Sequence, residues 1–293
     1  MAGQFQLSWV DANGTEWPFN NETYYLALVG MTGLTGMPPY AMTESQQPLT
    51  DGATLRYTLA GVREVDVPLL VSAGSYGELF AASRSLSGAL NPKAGPGALR
   101  VTAPDATVRD LVCTYASGFE HDWSQDTSSS DHLTCVLVFR AHDPYLYDTA
   151  ATQIGPFTSA AAPSFFPILP IRLGSSSVLS SFSVDNDGDA DAYPVWTIHG
   201  PGSAITLTNS TTGKTLALTG NGGLTLASTD TLTIDTQART VLLNGTTSEY
   251  SRLSFASSLW TFAQGFNSVA VSISGTDTPS FVAATYKRRW LNA

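Results

Sequence analysis

The chain has 293 residues, of which 43% are hydrophobic and only 13% are charged, with a formal net charge of -10. This composition excludes a disordered chain, which would combine low hydrophobicity with high charge, and the length allows two separate cores. The acidic balance argues against tight binding of nucleic acid, because that affinity depends on Lys and Arg contacts to phosphate. A negatively charged wall would instead repel a phosphate backbone that passes it.

Neither export nor membrane insertion is predicted. The first ten residues lack the basic start and long apolar core of a signal peptide. No run of about 18 apolar residues occurs, so no segment is predicted to cross a membrane. We therefore expect the chain to fold in a cytoplasm.

The first half of the chain is predicted to consist mainly of short strands. Phe5, Leu7 and Trp9 alternate with polar residues, a turn follows over 11–14, and Trp17 continues the alternation. This pattern is typical of a β-hairpin.

A strand and a second hairpin are predicted next. Residues 24–29 indicate the strand, and residues 30–39, rich in Gly and Pro, indicate a loop. Residues 54–60 and 63–71 indicate a hairpin that turns near Gly61.

One segment interrupts the β pattern. Ser75 and Glu78 form a capping-box pattern, which predicts the start of a helix. Asn91 and Pro92 indicate its end. The apolar residues with helical spacing are Tyr76, Leu79, Phe80, Leu86 and Leu90.

A three-stranded meander is predicted over residues 98–103, 107–117 and 132–141. Cys113 and Cys135 lie on its second and third strands, and a hairpin centred midway between them would place them opposite each other. Two interpretations follow: a cross-strand disulfide, or two buried thiols that a cytoplasm keeps reduced.

The small, polar composition of residues 149–164 is typical of a linker. We predict a first domain over 1–148, a linker over 149–172 and a second domain over 173–293. Short strands joined by turns fill the second domain, which favours a β-sandwich or jelly roll. These strands are predicted over 181–184, 193–199, 204–209, 214–218, 223–226, 231–235, 240–243, 260–262, 268–275 and 281–288.

Asp185, Asp187 and Asp189 alternate in a way that suggests a calcium loop, since calcium prefers oxygen ligands. Counted from Asp185, however, Ala190 stands where such a loop needs Gly, and Trp196 stands where it needs Glu. The alternative is an acidic turn between two strands.

Two other polar clusters are candidates for binding. The predicted loop after the second meander strand gathers possible metal ligands, although a loop this polar is commonly just solvated. Its candidates are His121, Asp122, Asp126, Asp131 and His132. The basic residues Lys287, Arg288 and Arg289 could contact phosphate or pair with carboxylates of their own domain or of a neighbour.

Exposed tryptophans would offer platforms for sugars. Trp196 and Trp260 lie in alternating strands and are predicted to be core residues, whereas Trp123 lies at a loop tip and is the carbohydrate candidate. No nucleophile elbow, paired zinc histidines or Cys–His signature is present, so no enzyme, catalytic residue or cofactor is predicted.

The order of several short motifs resembles one family, the distal tail proteins of long-tailed bacteriophages with non-contractile tails. In the first half the matching pieces are residues 95–99 after the helix and 143–145 at its end. In the second half they are residues 186–188, 193–195, 230–235, 239–241, 244–245, 258–260 and 265–267.

The resemblance implies a mainly β protein with an N-terminal split β-barrel, one helix and a C-terminal galectin-like sandwich. It implies a ring of six copies at the distal end of the virion tail, through which DNA passes. The implied partners are the major tail tube protein and the tail-tip hub or tail-associated protein, and direct anchoring of a receptor-binding protein stays open. The alternative is a tail protein that binds cell-wall sugars.

Overall fold

The computed structural model describes residues 5–21, 24–49, 51–120, 132–158, 177–277 and 279–293. It separates into two compact units. The first unit contains Met1–Thr149 together with Trp290–Ala293, and the second contains Ala150–Arg289. The predicted polar loop with Trp123, His121, Asp122, Asp126 and Asp131 lies outside the described residues.

A ten-stranded antiparallel sheet dominates the first unit, with the strand order β2-β1-β8-β9-β10-β7-β4-β3 and with β11 and the last strand, β23, at one side. Two further strands, β5 and β6, pair only with each other. The strands are β1 (Gln6–Val10), β2 (Glu16–Pro18), β3 (Asn20–Asn21), β4 (Tyr25–Ala27), β5 (Tyr40–Ser45), β6 (Thr54–Ala60), β7 (Arg63–Ser72), β8 (Gly97–Thr102), β9 (Val108–Ser117), β10 (His132–Ala141), β11 (Leu146–Asp148) and β23 (Arg289–Trp290).

The large sheet is a nearly closed barrel. Phe19 links its two ends, because its N–H donates to the Leu7 carbonyl at 2.9 Å and its carbonyl accepts from the Ala27 N–H. The inward-facing residues form one apolar core, in which the rings of Trp9 and Phe139 lie 4.9 Å apart. The predicted first hairpin and the predicted meander are both confirmed within this sheet.

The helix α1 (Tyr76–Ala89) covers the barrel and begins at the predicted cap, where the Ser75 hydroxyl accepts from the Glu78 N–H at 3.3 Å. Among the described residues it is the single α-helix. The Trp9 indole N–H donates to the Ala89 carbonyl at 2.9 Å, which fixes the helix against β1.

Three of the five residues of the predicted apolar stripe are buried, namely Leu79, Leu86 and Leu90. The other two, Tyr76 and Phe80, are exposed. The helix lies with one narrow side on the barrel, so residues one position away from that side face outward.

The hairpin predicted over residues 54–60 and 63–71 is wrong. Strand β6 pairs with β5, whereas β7 pairs with β10 and β4 inside the barrel. The chain changes direction at Gly61, whose N–H donates to the Pro39 carbonyl at 2.6 Å. Residues 40–45 therefore form a strand that follows the predicted loop and that we did not predict.

The two cysteines are free and buried, and they do not lie opposite each other. The register pairs Phe139 with Tyr115 and Val138 with Ser117, with a bulge between these pairs. This pairing centres the hairpin farther along the chain than the midpoint of the two cysteines. Burial raises the pKa of both thiols to about 12, so they are held in the protonated form.

Two antiparallel sheets make up the second unit. One has the order β12-β22-β14-β18-β19-β20, and the other has the order β13-β21-β15-β16 with β17 beside β15. The strands are β12 (Thr152–Thr158), β13 (Ser177–Asn186), β14 (Val195–His199), β15 (Gly202–Asn209), β16 (Lys214–Ala217), β17 (Thr225–Leu226), β18 (Thr231–Asp235), β19 (Thr240–Leu243), β20 (Thr247–Ser248), β21 (Gly265–Ser274) and β22 (Phe281–Tyr286).

A single apolar core joins the two sheets, so the second unit is a β-sandwich. Trp196 of β14 and Leu232 of β18 enter the core from one sheet, and Leu207 of β15 and Val271 of β21 enter it from the other. The alternation of buried and partly exposed residues along β14 and β18 follows from this packing on one face.

Part of the segment predicted as a linker is a strand. Thr152–Thr158 pairs with β22 as the edge of the six-stranded sheet, and Phe157 stacks on Phe182 with ring centroids 4.3 Å apart. Small and polar residues can supply an edge strand because only one of its sides must pair. Residues 159–172 of the predicted linker lie outside the described residues.

Candidate functional site: an exposed hairpin arm

Strands β5 and β6 form a two-stranded ribbon, called here the hairpin arm, that pairs with no other strand of the described chain. Nearly every residue of both strands is exposed. A two-stranded hairpin is at best marginally stable in water unless a third strand or another surface packs against it. Within the described residues, no third strand supports the arm.

Apolar side chains lie on both faces of the arm. Ala41 pairs with Leu59 and Thr43 pairs with Tyr57 on one face, whereas Met42 lies on the other. Met42 is 63% exposed, Tyr57 is 55% exposed and Leu59 is 60% exposed. Contiguous exposed apolar surface of this kind marks interaction sites on soluble proteins.

The base of the arm is firmly fixed to the barrel. Arg63, the first residue of β7, is 1% exposed, and its Nη2 donates to the Gly36 carbonyl at 2.9 Å and to the Leu291 carbonyl at 2.7 Å. The Asn292 side-chain carbonyl accepts from the Gly36 N–H at 2.8 Å. The last residues of the chain thus hold the segment from which the arm departs.

The basic cluster near the end of the chain is used internally. Arg288 pairs with Asp187 at 3.4 Å. The Arg289 guanidinium donates to the Asp191 carbonyl at 3.0 Å and lies 4.9 Å from the centre of the Tyr193 ring. The interpretation that these cations pair with carboxylates of their own domain is confirmed for Arg288.

The calcium candidates lie where β13 ends. Asp185 is in β13, Asp187 is the partner of Arg288, and the Asp189 N–H donates to the Arg289 carbonyl at 2.8 Å. Desolvation, followed by the neighbouring Asp187, raises the pKa of Asp185. The described residues contain no group of three acidic, His or Cys side chains placed to hold a metal ion, and calcium binding here stays a prediction.

The tryptophans of the second unit form its core. Trp196 and Trp260 are almost fully buried and meet edge to face, with centroids 5.5 Å apart. Trp290, in the first unit, lies under the Arg109 guanidinium, 4.0 Å from the centre of its ring. Trp123 lies outside the described residues, so the carbohydrate candidate stays a prediction.

Three buried asparagines explain part of the motif pattern in the second unit. Asn267 accepts from the Ala263 N–H at 2.9 Å and donates to the carbonyls of Ala263 and Gly265, each at 2.8 Å. Asn209 donates to the Asn267 side chain at 3.0 Å, and Asn186 donates to the Phe262 carbonyl at 3.1 Å. These side chains bond to backbone groups of residues 262–265. Two of the quoted motifs therefore fix the shape of a loop and supply no reactive group.

Sequence reasoning missed the hairpin arm because it placed residues 40–45 outside any strand. The available signal was the alternation of Leu55, Tyr57 and Leu59, which resembles a half-buried strand. A sequence pattern cannot show whether the surface that buries such a strand lies in the same chain or in another one.

The arrangement defines a two-domain β protein whose distinctive exposed feature is the hairpin arm. Comparison with known proteins shows what the chain is similar to. Residues 187–290 match the family described as siphovirus-type tail component, C-terminal domain. No curated protein matches the chain.

Solved phage structures share the fold over nearly the whole chain. One is the crystal structure of the SPP1 Dit (gp 19.1) protein, described as a paradigm of the hub adsorption apparatus in phages that infect Gram-positive bacteria. Its sequence is 14% identical, its TM-score is 0.67, and the match covers 98% of this chain and 100% of that chain. A chain of the phage P2 baseplate in its activated conformation is 10% identical with a TM-score of 0.55, covering 97% of this chain and 98% of that chain.

The second unit is thus similar to the C-terminal domain of siphovirus-type tail components, and the chain has the fold of the SPP1 Dit protein. In the part of the chain that the structure describes, no helix has the length and apolar character needed to cross a membrane.

Proposed function

We propose that this chain forms the hub of the distal tail, a ring of six copies that joins the tail tube to the host-adhesion apparatus. The hairpin arm carries the proposal, because it exposes apolar residues on both faces and has no partner within the described chain. Fold similarity to a phage hub protein over 98% of the chain supports the same role. A ring requires one contact repeated from copy to copy, and a projecting arm supplies such a contact.

Passage of DNA through the ring follows from the same proposal. The net charge of -10 supports it, because a negatively charged wall repels the phosphate backbone and does not retain it. The chain would serve as a conduit and would have no specific affinity for nucleic acid.

The partners proposed for the two sides of the ring are the major tail tube protein and the tail-tip hub or tail-associated protein. A receptor-binding protein that attaches directly to the ring is a third proposed partner. The assembly would be made in the host cytoplasm and would act at the distal end of the virion tail.

Electron microscopy and light scattering of the purified chain test the proposal. We expect six-fold rings and a mass of six chains. Leu59→Ser, in the hairpin arm, should shift the population toward monomers, because it places a hydroxyl where apolar contact is needed. Phe255→Ser is the matched control, because Phe255 is a fully exposed apolar residue of the second unit. A wild-type chain that stays monomeric at every concentration would contradict the ring.

Sugar binding is the alternative function, and Trp123 is its candidate residue. Five described tryptophans, Trp9, Trp17, Trp196, Trp260 and Trp290, are buried or half-buried, which leaves Trp123 as the tryptophan to test. A glycan array of bacterial wall sugars should show binding that Trp123→Ala removes if this alternative holds, and an array without binders would eliminate it.

A further inference from the structure

The first unit carries a groove, called here the helix groove, between α1 and the strands beside it. Trp17, Tyr24 and Tyr25 line it from the strand side, and Glu78, Ala81 and Ala82 line it from the helix. Its volume is about 370 Å³, within the range of ~300–1,000 Å³ found for pockets that bind small ligands. The two alanines leave the helix side open to a guest side chain.

The aromatic side of the helix groove is held in place. The Tyr25 hydroxyl donates to the Ala82 carbonyl at 3.0 Å, and the Trp17 indole N–H donates to Asp11 at 3.2 Å. The Trp17 ring meets Tyr25 edge to face at 6.1 Å, and Tyr24 lies 6.3 Å from Tyr25. Ring faces fixed in this way are prepared to receive a cation without further ordering.

Glu78 adds a negative charge beside these rings. Its side chain is exposed, and its backbone N–H, not its carboxylate, makes the helix-capping bond with Ser75. No ion pair to this carboxylate is found among the described residues. A carboxylate next to aromatic rings is the environment that a Lys or Arg side chain prefers.

The hairpin arm offers such a side chain. Arg56 is the only Lys or Arg between residues 40 and 60, and it lies in β6 next to Leu55 and Tyr57. Its guanidinium donates to the Ser45 hydroxyl at 2.9 Å and pairs with no carboxylate of the described chain. Seven residues of strand extend over roughly 20 Å, so the arm can present Arg56 well beyond its base.

We propose that the hairpin arm of one copy docks in the helix groove of the next copy, with Arg56 against Glu78 and the rings of Trp17 and Tyr24. This inference rests on the proposed ring, because docking an arm into a different surface of the neighbour is a head-to-tail contact that closes into a ring when repeated.

A charge exchange tests this contact. The variants are Arg56→Glu, Glu78→Lys and the double variant, and sedimentation velocity over a range of concentrations measures the concentration of half-assembly. Each single variant should raise that concentration by about tenfold or more, because like charges then face each other. The double variant should return to within about threefold of the wild type, because the two sites are coupled.

Arg84→Glu is the control, because Arg84 is an exposed residue of the same helix that does not line the groove. It should assemble as the wild type does. Circular dichroism and thermal unfolding of each variant separate a loss of assembly from a loss of folding.

The outcomes distinguish this contact from the ring itself. If the wild type forms rings and the single variants assemble normally, the docking contact is overturned and the ring stands. The same conclusion follows if the double variant is as impaired as the two single variants combined. Loss of binding to a tail tube protein with unchanged rings would also overturn it, because the groove would then serve another partner. A wild-type chain that never assembles overturns both.

Discussion

Two antiparallel hairpins of this chain have similar alternating sequences but opposite surroundings. In the second unit, β18 and β19 bury Leu232, Ile234 and Val241 completely in the sandwich. In the first unit, the hairpin arm leaves Leu59, Tyr57 and Met42 more than half exposed. The β18–β19 hairpin has a sheet beside it and a core beneath it, whereas the hairpin arm has neither within the described chain.

The two hairpins use their apolar side chains in different ways. Burying a leucine or an aromatic side chain stabilises a fold by roughly 1.5–3 kcal/mol, and the sandwich gains this contribution within the chain. In the proposed ring, the arm would gain it from a neighbouring copy. The arm would then be the associating region of the chain, and the sandwich would be a self-sufficient one.

The largest expected effect concerns the self-sufficient region. Trp196→Ala should lower the free energy of unfolding of the second unit by about 3–5 kcal/mol, because it leaves a cavity beside Trp260 and Phe262. Urea unfolding monitored by circular dichroism measures the loss. Phe255→Ala, at a fully exposed position, should change the free energy of unfolding by less than about 0.5 kcal/mol. A small effect at Trp196 would mean that the sandwich core does not carry the stability of this unit.

The same substitution in both hairpins tests the comparison directly. Leu232→Ala should cost about 2–5 kcal/mol of unfolding free energy because Leu232 is fully buried. Leu59→Ala should cost less than about 0.5 kcal/mol in the monomer because Leu59 is 60% exposed. Urea titrations at protein concentrations below assembly measure both values. A large cost at Leu59 would show that the arm packs against its own chain and would break the comparison.

Local patterns predicted much of the fold. The Ser75 cap, the β1–β2 hairpin and the meander follow from short-range chemistry: a hydroxyl that accepts a helix N–H, and turns between alternating residues. The sandwich strands followed for the same reason, except that the strand predicted over 260–262 is wrong: Phe262 forms only an isolated bridge with Ala192. The resemblance, which rests on the order of several motifs, predicted what periodicity could not: the family, and a barrel with one helix.

Long-range pairing was where prediction failed. Arg63 to Val71 was expected to turn back on β6, yet β7 pairs with β10, about 70 residues away along the chain. The choice depends on the core that β7 fills, because Val65, Val67 and Leu69 are fully buried in the barrel. Alternation specifies which face of a strand is apolar, but it does not specify the neighbouring strand.

The candidate site was the least predictable part. The sequence indicated calcium ligands and a loop tryptophan because the chemistry of these side chains can be recognised from single residues. The arm and the helix groove depend on Arg56 and Glu78 being left without ion-pair partners in the described structure. A sequence shows charges, but only a fold shows which of them stay unpaired within the chain.

A smaller effect is expected from the buried asparagines that shape the sandwich loops. Asn267→Ala should cost about 1–3 kcal/mol, because the Ala263 N–H and the carbonyls of Ala263 and Gly265 lose their buried partner. Thermal unfolding measures the loss, with Asn13→Ala in an exposed turn as the control. If the variant unfolds as the wild type does, water replaces the side chain, and this loop needs no internal polar support.

The smallest expected effect concerns the end of the β18–β19 hairpin, where side-chain hydrogen bonds hold the chain in place. The Asp230 carboxylate accepts from the Asn244 side chain at 3.0 Å and from the Ala227 N–H at 2.8 Å. These bonds, that of Asn244 first, lower the pKa of Asp230 below its ordinary value of 3.8. The bonds favour the ionised form of Asp230. Their contribution to stability is therefore complete above the pKa that this carboxyl has in the unfolded chain, and it is lost as the pH falls through its lower pKa in the folded chain.

Carbon-detected NMR titration of the Asp230 carboxyl measures this shift. The wild-type midpoint should lie below 3.8, and Asn244→Ala should move it upward, because the first of the two donors is gone. Asn221→Ala serves as the control, since its side chain bonds to the Ser251 carbonyl elsewhere in the unit. A wild-type midpoint at or above the ordinary value would show that the two donors do not hold the carboxylate in solution. The β18–β19 hairpin would then owe its geometry to the buried face alone, and burial by itself would distinguish it from the hairpin arm.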